Sequence, residues 1–299
     1  MWLALIALEF DPLVRVGDRL VRLESLVLAA GILGALLLAA RLAPLTPAAD
    51  ERDRTAPDGT LRAGDLLFIV LAAVPGAVVG GRLGYGLLHL DYYSSTPGAI
   101  LDPSQGSLQL GLAIVGGAVT GGVAARLLGE PVGRWFHVAA LPLLVGIATG
   151  KLAMAFGGSG QGLPTNVPWA TAYLGAGPWG SLAPELPSHP SQLYEAAASA
   201  VILAGAVGLL ASGAFSRRDG RLFLAVLAAW AIARTVVAVT WREAPVLGPL
   251  RADQLISIAI AAASIAILLA DRRPRGADSR RGSIVSRPSR ERSGSPDEL

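Results

Sequence analysis

Seven long apolar runs dominate the chain and restrict its fold more than any other feature. They lie at roughly 22–41, 64–88, 108–128, 135–156, 191–212, 220–241 and 252–270. Each has about the twenty residues a helix needs to cross the hydrocarbon core of a bilayer. In lipid a backbone must satisfy its own hydrogen bonds, so such runs fold as helices. The chain is therefore read as an all-α, polytopic membrane protein, with seven transmembrane helices over residues 22–270. Only 16% of residues are charged, against about 25% in a soluble domain. The first residues, "MWLALIALEFDP", carry no basic segment before a short apolar run. Residues 1–21 are expected to be an extracytoplasmic arm, not a cleaved signal.

Charge fixes the expected orientation. Residues 271–299 hold eight arginines among serines and almost no apolar side chains, the composition of a disordered, basic tail. Placing that tail in the cytoplasm puts Arg41, Arg62, Arg126, Arg134, Arg217, Arg218 and Arg221 inside as well, as the positive-inside rule requires. The loops 89–107 and 157–190, free of Lys and Arg, then lie outside. Arg15 and Arg19, in the arm, are the discordant pair. The tail has no interleaved aromatics and no folded module, so nucleic-acid binding is not expected. There are no cysteines, which excludes disulfides, thiolate metal sites and a Cys nucleophile. Any thiol chemistry must use a thiol brought by a substrate.

Three cations stand inside apolar runs. Lys151 is the only lysine in the chain, and Arg82 and Arg234 are its counterparts in the second and sixth runs. At a rise of ~1.5 Å per residue, all three fall roughly 20–28 Å from the inner end. A charge at that depth is costly unless it meets a partner or a polar interior. Two partners are expected: Glu195, at the outer start of the fifth run, and an anionic ligand such as a phospholipid phosphate. Arginine offers phosphate a planar fork; lysine offers a point charge. The segment "SHPSQLYEA" gathers His189, Gln192, Tyr194 and Glu195 behind Pro190, which suits a first helical turn. Histidines 89, 137 and 189 form no metal-ligand spacing, so no metal is expected.

These residues carry a resemblance. "HPSQLYEA" (189–196) resembles the HP(S/T)QLYE segment of the bacterial prolipoprotein diacylglyceryl transferases. The stretch 65–101, with G-x-R-L-G-Y around Arg82 and D-Y-Y at Asp91 to Tyr93, is similar to the family's second span and following loop. "LGLAIVGGAVTGG" (110–122), "GKLAMAFGGSGQGLPTNVPWATAY" (150–173) and "LRADQLISI" (250–258) follow in the family's order. The resemblance covers about residues 20–270. It implies an enzyme of the bacterial cytoplasmic membrane, with its active site toward the outer leaflet. There it would move the diacylglyceryl group of phosphatidylglycerol to the lipobox cysteine thiol of a prolipoprotein and release glycerol phosphate. The implied partners are phosphatidylglycerol, the prolipoprotein signal peptide and the bilayer; no cofactor is implied.

On this reading Arg82, Lys151 and Arg234 bind phosphate, with Gln192, Tyr194, Gly158 and Gly162 shaping the substrate site. His189, Glu195 and Tyr85 are the candidate catalytic groups. The chain departs from the family pattern at several positions. Lys151 replaces an Arg, Met154 and Gly157 replace Asn, Ser159 replaces Glu, and Val115 replaces a His of the third span. Leu23 and Glu24 stand where the family often has a Trp-Tyr pair, and Ala238 stands at an acidic position after Arg234. Two readings follow: an active transferase, or a member that binds phospholipid or a lipoprotein without turnover.

Overall fold

The computed structural model describes residues 5–46, 61–62, 64–102, 106–175 and 177–270. The tail at 271–299 lies outside the described residues. In chain order the elements are β1 (Leu5–Glu9), β2 (Leu13–Val16), β3 (Arg19–Arg22), α1 (Leu23–Leu42), α2 (Asp65–Leu88), a short α3 (Leu90–Ser95), α4 (Leu110–Leu127) and α5 (Val132–Phe156). Then follow β4 (Ala170–Leu174), α6 (Ser191–Ala211), α7 (Arg221–Val237), β5 (Pro245–Leu247), β6 (Leu250–Arg251) and α8 (Ala252–Ala270). Seven of the described helices are long and apolar enough to cross a membrane. The chain is a multi-pass membrane protein.

The helices match the seven apolar runs, with two instructive shifts. α5 begins at Val132, three residues before the expected start, because Arg134 dilutes the apolar run yet is buried. Its guanidinium donates to the Thr46 carbonyl, so a charged residue sits within the first turn at little exposure. α7 ends at Val237 and tightens into a 3-10 turn over Ala238–Thr240. That turn releases Trp241 from the helix and aims the following loop back across the helix ends.

One end of the bundle is loop-rich and carries every described strand. β1 pairs in parallel with β4, from Leu5↔Ala170 to Glu9↔Leu174. The arm before the first helix is thus tied to the long 157–190 loop. The Leu23 amide donates to the Pro12 carbonyl at 2.8 Å, so the arm also sets where α1 begins. Arg41, Arg62, Arg126, Arg134, Arg217, Arg218 and Arg221 lie at the opposite end.

The helices form two bodies. α2 packs closely along α4, and both are carried by small residues. A Cβ on Gly116 would strike the Gly76 carbonyl, and one on Gly80 would strike the Leu112 carbonyl. Such close backbone approach replaces the hydrophobic drive that lipid removes. The larger body holds α1 on α5, then α6, α7 and α8. Its core joins Leu144 and Ile147 of α5 to Phe223, Leu227 and Trp230 of α7 and Ile260 of α8. α4 meets α5 and α8 over a few positions, and α1 hardly meets α2. A seam therefore runs between the α2–α4 pair and the body.

Gly116→Val should destabilise the protein by about 1–3 kcal/mol, because a branched side chain there has backbone in its path. Gly34, whose added Cβ meets nothing within 4 Å, is the matched control, and Gly34→Ala should be neutral or slightly stabilising. Thermal unfolding in detergent measures both.

Candidate functional site

At the loop-rich end the seam opens into a cavity of about 840 Å³, lined by residues of α1, α2, α4, α5 and the α7–α8 connection. Lys151 and Arg234 both face it, and so do Glu24, Tyr85, His89, Gln109, Trp241, Glu243 and Asp253. Apart from Ser107 the rest of its wall is apolar, including Leu28, Leu88, Leu108, Leu110 and Ile147.

The two cations are held by a chain of alternating charge. Lys151 Nζ lies 2.9 Å from Glu195 Oε2. Arg234 Nη1 donates to the other oxygen, Glu195 Oε1, at 2.5 Å. The guanidinium also donates through Nε to Asp253 Oδ2 at 2.9 Å and through Nη2 to Asp253 Oδ1 at 3.2 Å. Gln109 Nε2 donates to the same Oδ1 at 2.6 Å, while its Oε1 accepts the Leu112 amide and caps α4. Glu195, Arg234, Asp253 and Gln109 are each at most 4% exposed. Two cations and two carboxylates sum to zero charge, which is what makes their burial tolerable. The Trp241 ring packs against both cations, 4.4 Å from the Arg234 Cζ and 5.5 Å from Lys151 Nζ. A desolvated cation over an indole face gains roughly 2 kcal/mol.

Donors remain for a ligand. Lysine carries three N–H groups and arginine five. Lys151 spends one on Glu195, and Arg234 spends one from each nitrogen on its carboxylates. The cavity is therefore lined by cationic donors with unused capacity, next to apolar wall.

The predicted residues separate into two groups. Lys151, Arg234 and Tyr85 line the cavity, and Glu195 pairs with both cations. Tyr85 forms its α2 wall and stacks on His89 with ring centroids 4.1 Å apart. Arg82 lies elsewhere: its guanidinium donates to the carbonyls of Ala99, Ile100 and Asp102, fastening the loop after α3. His189 Nδ1 lies 3.3 Å from the Tyr194 hydroxyl, which also accepts from Trp169 Nε1 at 2.6 Å. Gln192 Nε2 donates to the Tyr173 hydroxyl at 3.0 Å. Burial pushes the Tyr173 phenol up to about 12, so it remains a neutral strut of β4. His189, Gln192 and Tyr194 thus brace the loop-rich end behind Glu195.

Gly158 and Gly162 serve that same bracing. Gly158 has φ +67°, and a Cβ on it would meet the Trp179 ring. Gly162 passes so near Ser191 and the Thr240 carbonyl that no side chain fits. Its amide donates to the His189 carbonyl at 2.8 Å, and its own carbonyl accepts from Arg242 Nε at 2.7 Å. The loop after α5 is thereby stitched to the starts of α6 and the α7–α8 connection.

Beyond the residues predicted from the sequence, the site also includes Asp253, Gln109, Trp241, Glu24, His89 and Glu243. Asp253 and Gln109 complete the charge chain, Trp241 backs the cations, and Glu24 enters the cavity from the first turn of α1. The Glu24 carboxylate accepts from Arg22 Nη2 at 3.0 Å and from Ser159 Oγ at 3.5 Å. It fills the space that a side chain on Gly157 would need. The signal for Asp253 was present: it is an acid in the first turn of an apolar run, at the same end as Glu195. Val115 packs against the apolar core cluster.

Comparison with known proteins gives a consistent picture. Residues 12–270 match the sequence profile of the family described as prolipoprotein diacylglyceryl transferase. A Nostoc sp. protein named phosphatidylglycerol--prolipoprotein diacylglyceryl transferase is 29% identical over 272 residues, covering 88% of this chain and 90% of its own. A protein of the same name from Rhizobium meliloti is 32% identical over 203 residues, 65% of this chain and 66% of that one. A third, from Methylocella silvestris, is 35% identical over 129 residues, 43% of this chain and 45% of its own.

Asp253→Asn keeps the shape but removes a charge, leaving Arg234 with one carboxylate for two cations. Breaking one partner of a buried pair costs about 3–5 kcal/mol. A fall in melting temperature larger than that of a surface control such as Asp18→Asn, measured in the same detergent, is the expected result.

Proposed function

The chain belongs to the prolipoprotein diacylglyceryl transferase family, and on that premise we propose that the cavity between Lys151 and Arg234 is where the transfer takes place. The enzyme moves the diacylglyceryl group of phosphatidylglycerol to a prolipoprotein. The acceptor is the lipobox cysteine thiol of the signal peptide, and the reaction runs at the outer leaflet of the cytoplasmic membrane. The observation that carries the proposal is the pair of cations with spare donors in a cavity that also presents apolar wall, with Leu28, Leu88, Leu110 and Ile147 beside its polar groups. That combination suits one phosphate attached to acyl chains.

The chemistry assigns roles to these groups. A sulfur–carbon bond forms to the glyceryl carbon while the carbon–oxygen bond to phosphate breaks. The thiol gives up its proton, and glycerol phosphate departs with the bonding electron pair. Negative charge accumulates on the leaving phosphate, where cationic donors already in place lower the barrier. Arg234, fixed on both sides by Glu195 and Asp253, supplies a rigid donor set. Lys151 adds a mobile one.

Glu195 acts by holding both cations; its two oxygens are committed to them. A thiol entering beside two cations is also made more acidic, because the thiolate gains their attraction. Tyr85, in the cavity wall, relays the thiol proton: its hydroxyl takes that proton as it passes its own to the departing phosphate oxygen. His189, Gln192 and Tyr194 support the site from behind, Gly158 and Gly162 hold its loop, and Arg82 fixes the loop that borders the α2–α4 side.

The test uses purified protein, labelled phosphatidylglycerol and a peptide with a lipobox cysteine, following glycerol phosphate release. Lys151→Ala should lower kcat/KM by about 10²-fold, the usual cost of losing one transition-state donor. Lys151→Arg should lower it less than Lys151→Ala, since the charge persists while the planar fork follows the leaving phosphate less well. Wild-type turnover unaffected by Lys151→Ala would remove Lys151 from the site, and absence of turnover in the wild type would leave lipid binding without catalysis.

A further inference from the structure

One ring lining the cavity takes no part in the transfer itself. His89 stands between α2 and α3 and faces the cavity beside Tyr85 and Ser107. Its backbone is pinned on both sides. The His89 amide donates to the Gly86 carbonyl at 3.2 Å, and its own carbonyl accepts from the Tyr92 and Tyr93 amides at 3.1 Å each. α2 therefore ends in a tight turn, and the Tyr85 carbonyl loses the amide that a continuing helix would bring to it. The imidazole takes that carbonyl instead, with Nδ1 2.9 Å away. The ring also stacks on Tyr85, with centroids 4.1 Å and planes 25° apart. His89 is thus exposed yet held in one orientation.

That tether decides what the ring can do. A carbonyl oxygen only accepts, so Nδ1 must carry a hydrogen. In the neutral imidazole the lone pair then sits on Nε2. No described residue meets Nε2 with a hydrogen bond. The cavity therefore presents one fixed acceptor on its exposed side, opposite in kind to the donors of Lys151 and Arg234.

The substrates bring matching donors. Phosphate oxygens accept, and the two cations serve them. The thiol passes its proton to Tyr85. The two hydroxyls of the headgroup glycerol are what remains, and each is a donor in need of an acceptor. We infer that His89 Nε2 accepts a hydrogen bond from a headgroup hydroxyl of phosphatidylglycerol, and that it thereby selects a polyol headgroup over one without hydroxyls. The inference rests on the proposed phosphate site. With the phosphate on Lys151 and Arg234, the glycerol extends from the cations toward the exposed end of the cavity, where His89 stands. A lipid that lacks the hydroxyl leaves Nε2 covered and unpaired, the circumstance in which a polar site discriminates best.

The test compares phosphatidylglycerol with phosphatidylpropanol of the same acyl chains, whose headgroup has three carbons and no hydroxyl. Purified full-length protein acts on one lipobox peptide, and the lipidated peptide is quantified by mass spectrometry. The wild type should prefer phosphatidylglycerol by about tenfold in kcat/KM, the scale of one hydrogen bond. His89→Phe keeps a ring on Tyr85 but removes the acceptor, so the preference should fall to near parity. His89→Gln, which returns an acceptor oxygen, should recover part of it. A purely structural role would slow both lipids alike and leave the ratio unchanged. No preference in the wild type, or a preference that survives His89→Phe, overturns the inference; the second result would hand the hydroxyls to Glu243 or Ser107, which also line the cavity.

A binding arm keeps this separate from the transfer reading. If the wild type transfers from neither lipid, the transfer reading fails by itself. Short-chain phosphatidylglycerol should still raise the melting temperature in detergent more than short-chain phosphatidylpropanol, as mass action requires of the tighter ligand. His89→Phe should erase that difference. Equal or absent shifts in the wild type overturn the inference.

Discussion

Everything at the loop-rich end depends on one chain of alternating charge: Lys151, Glu195, Arg234 and Asp253, closed by Gln109. It draws on α5, α6, α7, α8 and the cap of α4, so five elements are registered to one another by a handful of polar contacts. Apolar packing could not do this in lipid, where exposed and buried hydrocarbon differ little in free energy. A buried guanidinium with its carboxylates displaced is far more costly than a displaced leucine. The network is thus a strong constraint on geometry and a weak source of net stability. That balance suits a site whose function is to hold cations at fixed positions.

The fold's large features were legible in the sequence because lipid imposes a simple rule. A run of about twenty apolar residues has one viable conformation there, so all seven helices could be placed within a few residues. What hydropathy could not give was pairing between distant segments. β1 and β4 are separated by about 160 residues and pair in parallel, and neither strand has a local signal that names its partner. The same holds for the two-body division. It depends on where Gly76, Gly80 and Gly116 meet, and glycine is abundant throughout the chain.

The site was half legible for a related reason. Depth along a helix follows from sequence number, and it correctly brought Lys151 and Arg234 to one level with Glu195. Azimuth does not follow so simply, because each residue turns the side chain by about 100°. Arg82 has a comparable depth yet points to the carbonyls of the loop after α3. Asp253 and Gln109 were passed over because each stands at the first turn of an apolar run, where a polar residue ordinarily reads as a helix start. Only the structure shows Gln109 both capping α4 and reaching across the seam.

That reach gives the departure at Lys151 its physical sense. The Arg234 fork is already engaged on two sides, bidentate on Asp253 and single on Glu195, so the site has its rigid, planar cation. A second arginine at 151 would bring another fork needing matched acceptors in the same small volume, with Glu195 Oε1 already taken. Lysine needs one contact to be neutralised and can swing its remaining donors. Trp241 then faces both cations without a hydrogen-bonding requirement of its own toward them. The result is one fixed and one adjustable cation on a common carboxylate. A phosphate that changes charge and position as it leaves is better followed by that arrangement than by two immobile forks.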